Sequence, residues 1–191
     1  MKPSDHLLRH SLLLMAASQV GNLANILFHA VMGRWLTPSP AEYGVLSSML
    51  GVVLIAGTPL GALNNMLAFY TARFKQQQRA ADVVPLLRYW AIWLVLFSAA
   101  LLAAGALFGG PLAEFFRLPG RAALLMAFFV LALSLFNPLL SGPLQGLQAF
   151  GWLAVSGLSW GVVRLAAGAA LVLWVGPTAV WGLAGQGIGV A

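Results

Sequence analysis

The sequence predicts an all-α fold, a polytopic bundle of transmembrane helices, from three observations. Of 191 residues, 61% are hydrophobic and only 7% are charged, where a water-facing domain carries about 25% charged residues. The mean hydropathy is +0.90. The few charges are gathered between long windows that contain none: 10–33, 43–72, 89–113, 122–163 and 165–191. So little charge cannot cover a soluble surface, which excludes an ordinary soluble enzyme or binding domain. It also excludes disorder, which needs high charge and low hydrophobicity.

About 20 mostly apolar residues cross a bilayer, and the windows divide accordingly. The first helix is expected near 11–33. Lys2 and Arg9 ahead of Ser11–Ala17 imitate a signal peptide, but the apolar pattern runs on to Gly33, long enough to span. The second is expected near 44–70, bent at Pro59, and the third near 89–109. The double-length window breaks at Asn137-Pro138 and Ser141-Gly142-Pro143, where proline removes backbone donors and fixes the chain direction. That gives helices near 122–140 and 151–174. A sixth, 178–191, follows Gly176-Pro177. Its fourteen residues reach about 21 Å at 1.5 Å each, too short to cross, so the sequence is expected to stop inside this helix. The polar stretch 71–88 is expected to lie along the cytoplasmic surface.

Charge sets the expected orientation. Lys2, Arg9, Arg73, Lys75, Arg79 and Arg88 fall on the N-terminal side, against Arg34, Arg117 and Arg121 opposite. Six against three favours a cytoplasmic N-terminus. Trp35 and Tyr43 flank an outer loop, and Tyr70, Tyr89, Trp90 and Trp152 flank inner ones, as amphipathic rings do at an interface. The net charge of +6 is read as loops facing anionic lipid, not as a nucleic-acid footprint. With no Cys, disulfides, thiolate metal sites and cysteine nucleophiles are excluded.

Polar residues inside these helices are the candidate site. Ser11, Ser18, Asn22, Asn25 and His29 are spaced seven, four, three and four apart, one stripe of a helix. Amides and an imidazole facing lipid would lack partners. Taken singly, each is read as interhelical glue; five in line are read as the wall of a cavity, with Gln19 off the stripe. Arg164 lies thirteen residues into the fifth helix, roughly 20 Å from its start. Arg at a bilayer centre costs about 2.5–3.5 kcal/mol on insertion scales. Gly157, Gly161 and Gly168 share its face and allow close backbone approach. It is either a structural group, bonded to carbonyls or snorkelling, or a fixed positive charge whose planar fork matches phosphate oxygens.

Weaker signals are read as packing. The second helix puts Gly57, Gly61, Asn64 and Thr71 on one face, and GxxxG spacings occur at Gly105/Gly109 and Gly185/Gly189. Ser134, Asn137 and Pro138 read as an ordinary helix end. None of the acids (Asp5, Glu42, Asp82, Glu114) falls deep in a span, so there is no intramembrane carboxylate for sodium or proton coupling and no pair for general acid–base work. Gly185-Gln186-Gly187-Ile188-Gly189 lacks the preceding strand of a dinucleotide loop.

Gly33-Arg34-Trp35-Leu36, then Glu42-Tyr43-Gly44, then Gly142-Pro143-Leu144-Gln145-Gly146-Leu147-Gln148-Ala149-Phe150 resemble the multidrug/oligosaccharidyl-lipid/polysaccharide (MATE-like) exporter superfamily. The likeness is to its polysaccharide-biosynthesis, O-antigen flippase-like branch, through short motifs spread over nearly the whole chain. Leu36-Thr37-Pro38-Ser39-Pro40-Ala41 departs from that branch's shorter Leu-Gly-Pro turn. The resemblance implies two six-helix lobes around a central cavity, with this chain as the N-terminal lobe and the C-terminal lobe absent. It implies a non-enzymatic flippase that uses no cofactor or metal. Its cargo would be an undecaprenyl-diphosphate-linked oligosaccharide, carried across the inner membrane by alternating access. The partners so implied are the bilayer, the anionic lipid-linked glycan and the missing lobe, with no nucleic acid. Arg164 would engage the diphosphate, with Arg34 at the outer mouth; Ser18, Asn22, Asn25, His29 and Asn64 complete the expected cavity. The alternative is a cation-coupled multidrug exporter of the same fold, which would need a buried carboxylate. A membrane-embedded transferase has only His29 to offer.

Overall fold

The computed structural model describes residues 3–36 and 40–190, with side chains from Leu12 onward except Leu13, Leu14 and Pro40. Eight α-helices occur among them: α1 (Pro3–Trp35), α2 (Pro40–Gly57), α3 (Pro59–Gln76), α4 (Val83–Phe115), α5 (Ala122–Ser134), α6 (Asn137–Gly146), α7 (Phe150–Trp174) and α8 (Ala179–Val190). A single 3-10 turn, Ala80–Asp82, precedes α4. No strand occurs among the described residues.

Proline explains most of the boundaries that differ from expectation. It is tolerated in the first turn of a helix, where its missing N–H has no partner to lose, and Pro3, Pro40, Pro59 and Pro138 all sit there. The span expected over 44–70 is two helices, α2 and α3, bent by 41° at Thr58. The fourth helix, α5, ends at Ser134, short of the expected 140, and Pro138 sits in the first turn of a further helix, α6, which continues through Pro143 to Gly146. α4 is longer than expected at both ends and contains Pro111. Within the polar stretch 71–88, α3 runs on to Gln76, the 3-10 turn Ala80–Asp82 follows and α4 begins at Val83.

Three helices close with the same device. Arg79 N–H reaches Phe74 O, Leu118 N–H reaches Ala113 O and Ala149 N–H reaches Leu144 O, each five residues back. The residue before each donor is left-handed: Gln78 (φ 57°), Arg117 (φ 53°) and Gln148 (φ 60°). This is the Schellman closure built on non-glycine residues.

Packing is concentrated at one end. α8 is held among α7, α5 and α2, while α1 lies on α7 and α4 on α5. The core joins Phe28 and Met32 of α1, Leu46 and Met49 of α2, Leu124 and Val130 of α5, Val172 of α7 and Leu183 of α8. At the other end, α3 and α6 pair through glycine: a Cβ on Gly142 or Gly146 would strike the α3 backbone at Asn64 or Ala68. Gly105 and Gly109 are buried against Phe128 and Leu125 of α5, as expected for packing glycines.

Three helical stretches are long and apolar enough to cross a membrane: Ala80–Phe115, Ala122–Gly146 and Phe150–Trp174, with the bent pair α2–α3 as a fourth. The spanning expected of the first helix rests partly on side chains outside the described residues, Leu13 and Leu14 among them. Trp93, Phe97, Leu107 and Phe108 of α4 are exposed, and contiguous apolar surface of that kind needs lipid or protein against it. The chain has the build of a membrane protein.

Candidate functional site

α1 and α7 cross where neither has a side chain to spare. A Cβ on Gly161 would meet Gly21 O and Ala24, and one on Gly168 would meet Phe28 and Met32. α8 approaches α7 still more closely, with Gly185 against the backbone of Gly168, and Gly189 against Arg164 and Trp160. These contacts use Gly21, Ala24, Phe28 and Met32 on α1. At 100° per residue the stripe of Ser18, Asn22, Asn25 and His29 lies about a quarter turn away, at the edge of the contact.

The stripe therefore borders two clefts instead of one hollow. Asn25 and His29 line a cleft of about 340 Å³ with Ser47, Gly51 and Leu54 of α2, Trp160 and Arg164 of α7, and Gln186 of α8. Ser18 and Asn22 line a separate cleft of about 240 Å³ between α1 and the first turns of α7. Ser18 also donates back to Met15 O at 2.8 Å. Trp160 lines both clefts. Ser11 belongs to the expected stripe, but its side chain lies outside the described residues.

Arg164 is 5% exposed. Its Nη1 donates to Asn25 Oδ1 at 2.5 Å, and its guanidinium carbon sits 4.0 Å from the Phe28 ring centroid and 5.5 Å from that of Trp160. Aromatic faces stabilise a desolvated cation by about 2 kcal/mol or more. No carboxylate lines the cleft, so the positive charge is supported by an amide and two rings and is not neutralised. Its Nε has no partner, and neither does Oε1 of Gln186, which is 7% exposed in the same cleft.

Two predicted residues are placed elsewhere. Asn64 sits on the α3–α6 seam, where its Nδ2 donates to Gln145 Oε1 at 3.0 Å and its Oδ1 accepts from the Ser141 hydroxyl at 2.6 Å. It is interhelical glue and lies outside both clefts on α1. Arg34 stands exposed in the last turn of α1, outside the lining of the Arg164 cleft. His29 Nδ1 is paired with the Tyr43 hydroxyl at 3.4 Å, and Phe28 and Tyr43 both meet its ring edge to face.

The sequence reading passed over three residues. Gln186 carried a usable signal, a single amide in an otherwise apolar helix, but its setting among glycines drew attention to a nucleotide motif. Trp160 looked like one more apolar residue. Glu42 reads in the sequence only as an acid that does not fall deep in a span, yet its Oε2 accepts the Ala179 N–H at 2.7 Å. It thus caps α8 while standing in the first turn of α2, so two helix N-termini share one carboxylate. Among the described residues no group of His, Asp and Glu could hold a metal. No known protein family, curated protein or solved structure matches the chain.

Proposed function

We propose that this chain is the N-terminal lobe of a MATE-like inner-membrane transporter, with its N-terminus cytoplasmic. Its cargo is a polyprenyl-diphosphate-linked oligosaccharide destined for surface polysaccharide. One observation carries the proposal: a buried arginine, paired with an amide and two aromatic rings but with no carboxylate, faces a cleft between α1, α2, α7 and α8. Burying an unneutralised guanidinium is costly, and an anionic ligand is what offsets that cost. A guanidinium donates in a planar fork that suits phosphate oxygens. Alternating access would then expose this cleft to each side of the membrane in turn. The cation-coupled drug exporter fits less well, because a cationic cargo would meet Arg164 with no acid to receive it.

Expression of the full-length gene in a flippase-deficient strain tests the proposal. Wild type restores surface glycan, Arg164→Ala does not, and Arg164→Lys restores it partially, since a point charge replaces a bidentate fork. Normal glycan from an Arg164→Ala protein present at wild-type level would remove the assigned role.

A further inference from the structure

The lining of the Arg164 cleft is amphipathic. Asn25, which is bonded to Arg164, contributes polar groups together with His29 of α1, Ser47 of α2 and Gln186 of α8. The rest of the α2 wall is Leu50, Gly51, Val53 and Leu54. Ser47, Leu50, Gly51 and Leu54 are spaced three, one and three apart, which sets them on one face of α2. Along that face the chemistry runs from a hydroxyl at Ser47 to hydrocarbon at Leu54, about 10 Å further on. This wall is open to contact: Ser47 is exposed, and Leu54 and Ile55 beside it are each 76% exposed. The cleft is also a gap between consecutive helices. α1 lies on α7, whereas α2 lies on α5 and α8. The two meet at His29 and Tyr43, and the cleft lies between them from there.

A small hydrophilic anion meets the guanidinium and leaves the α2 wall bare. An uncharged hydrocarbon has no reason to prefer this gap to the exposed apolar face of α4 at Trp93, Phe97 and Leu107. The complement to both parts of the lining is an amphiphile with a negative head. We infer that the cleft takes a lipid phosphate, its head at the cleft edge of Arg164 and the first carbons of its chain against Leu50 and Leu54, in the gap between α1 and α2. Each methylene buried there strengthens binding about fourfold. Leu54 is thus a specificity residue that reads the chain, while Arg164 reads the charge. The inference rests on the cleft being the binding site for a lipid-linked saccharide, and it names where the lipid part of that molecule lies.

The full-length protein in lipid nanodiscs is titrated with inorganic phosphate and with butyl phosphate, a water-soluble stand-in for the lipid, followed by calorimetry. Wild type is expected to bind butyl phosphate about tenfold tighter than phosphate, the gain from burying about two methylenes. Leu54→Asn should bring the two ligands to equal affinity and leave the phosphate value unchanged, with an unaltered melting temperature as the folding control. Leu54→Met, which keeps hydrocarbon at the position, should retain the preference. Phe97→Asn, on the exposed face of α4, should retain it as well, which separates the gap from general contact with the bilayer. Equal affinity for the two ligands in wild type, a preference that survives Leu54→Asn, or one lost in Phe97→Asn overturns the inference while leaving an anion site in place. Failure of both ligands to bind wild type overturns the inference and the proposed cargo together.

Discussion

The α3–α6 seam and the α1–α7–α8 cleft are built from the same materials and finish in opposite states. Each brings helices together through glycines, two helices through Gly142 and Gly146 in one and three through Gly161, Gly168 and Gly185 in the other. Each carries amides and longer polar groups at the contact. On the seam, Ser141 donates to Asn64 and Asn64 donates to Gln145. The Thr71 hydroxyl there is unpaired, but Gly146 is pressed onto it and leaves no room for a ligand. In the cleft, Arg164 has one amide, two rings and no carboxylate, and it lines open volume. A closed network is structural glue, and an open one next to a void is a place for something to bind. Both look alike in one dimension.

Glycine replacement should break both regions and separate them. Gly185→Leu and Gly146→Leu each force a side chain into opposing backbone, and each should cost about 3 kcal/mol or more, at the upper end for overpacking. Melting in nanodiscs, followed by circular dichroism, reads this loss. Phosphate titration then tells them apart: Gly185→Leu abolishes binding, whereas any Gly146→Leu protein that remains folded keeps it. A Gly185→Leu protein that still bound phosphate would show that the α7–α8 contact does not position the site.

Asn64→Leu is the next largest effect. It removes the bond to the exposed Gln145 and turns the Ser141 hydroxyl proton wholly to Asn137 O, which should cost about 0.5–1.5 kcal/mol of stability without changing glycan export in the complementation assay. Lost export at unchanged melting temperature would move Asn64 into the binding site after all.

Asn25→Asp sharpens the contrast from the other side. It supplies Arg164 with the carboxylate the cleft lacks, so phosphate affinity should fall about tenfold, which is 1.4 kcal/mol. Stability should change little, since the new ion pair sets Coulomb attraction against desolvation. Undiminished phosphate binding to this variant would argue that the anion does not sit at the guanidinium.

Much of the fold was legible because it depends on local pattern. The run over 89–113 holds no charge and that over 151–174 holds only Arg164, and both emerge inside helices that long. Arg164 stood out for the same reason, as a single charge in a span. The errors gather where one local signal has two outcomes. Asn137-Pro138 reads as a stop, yet a proline that ends one helix can open the next, and α6 begins there. The stripe on α1 is real, but α7 crosses beside it at Gly21 and Ala24 and divides it between two clefts. Glu42 looked idle because its partner, Ala179, belongs to another helix.

The sequence by itself determined that this chain is helical, apolar enough for a membrane, and burdened with one buried cation, because hydropathy and helix-breaking residues act over a turn or two of chain. Only the tertiary structure decided which polar group meets which. Asn25 finds Arg164 across 139 positions and Asn64 finds Gln145 across 81. Such pairs depend on where glycines let one backbone touch another, and that distance is a property of two helices together, absent from either one alone.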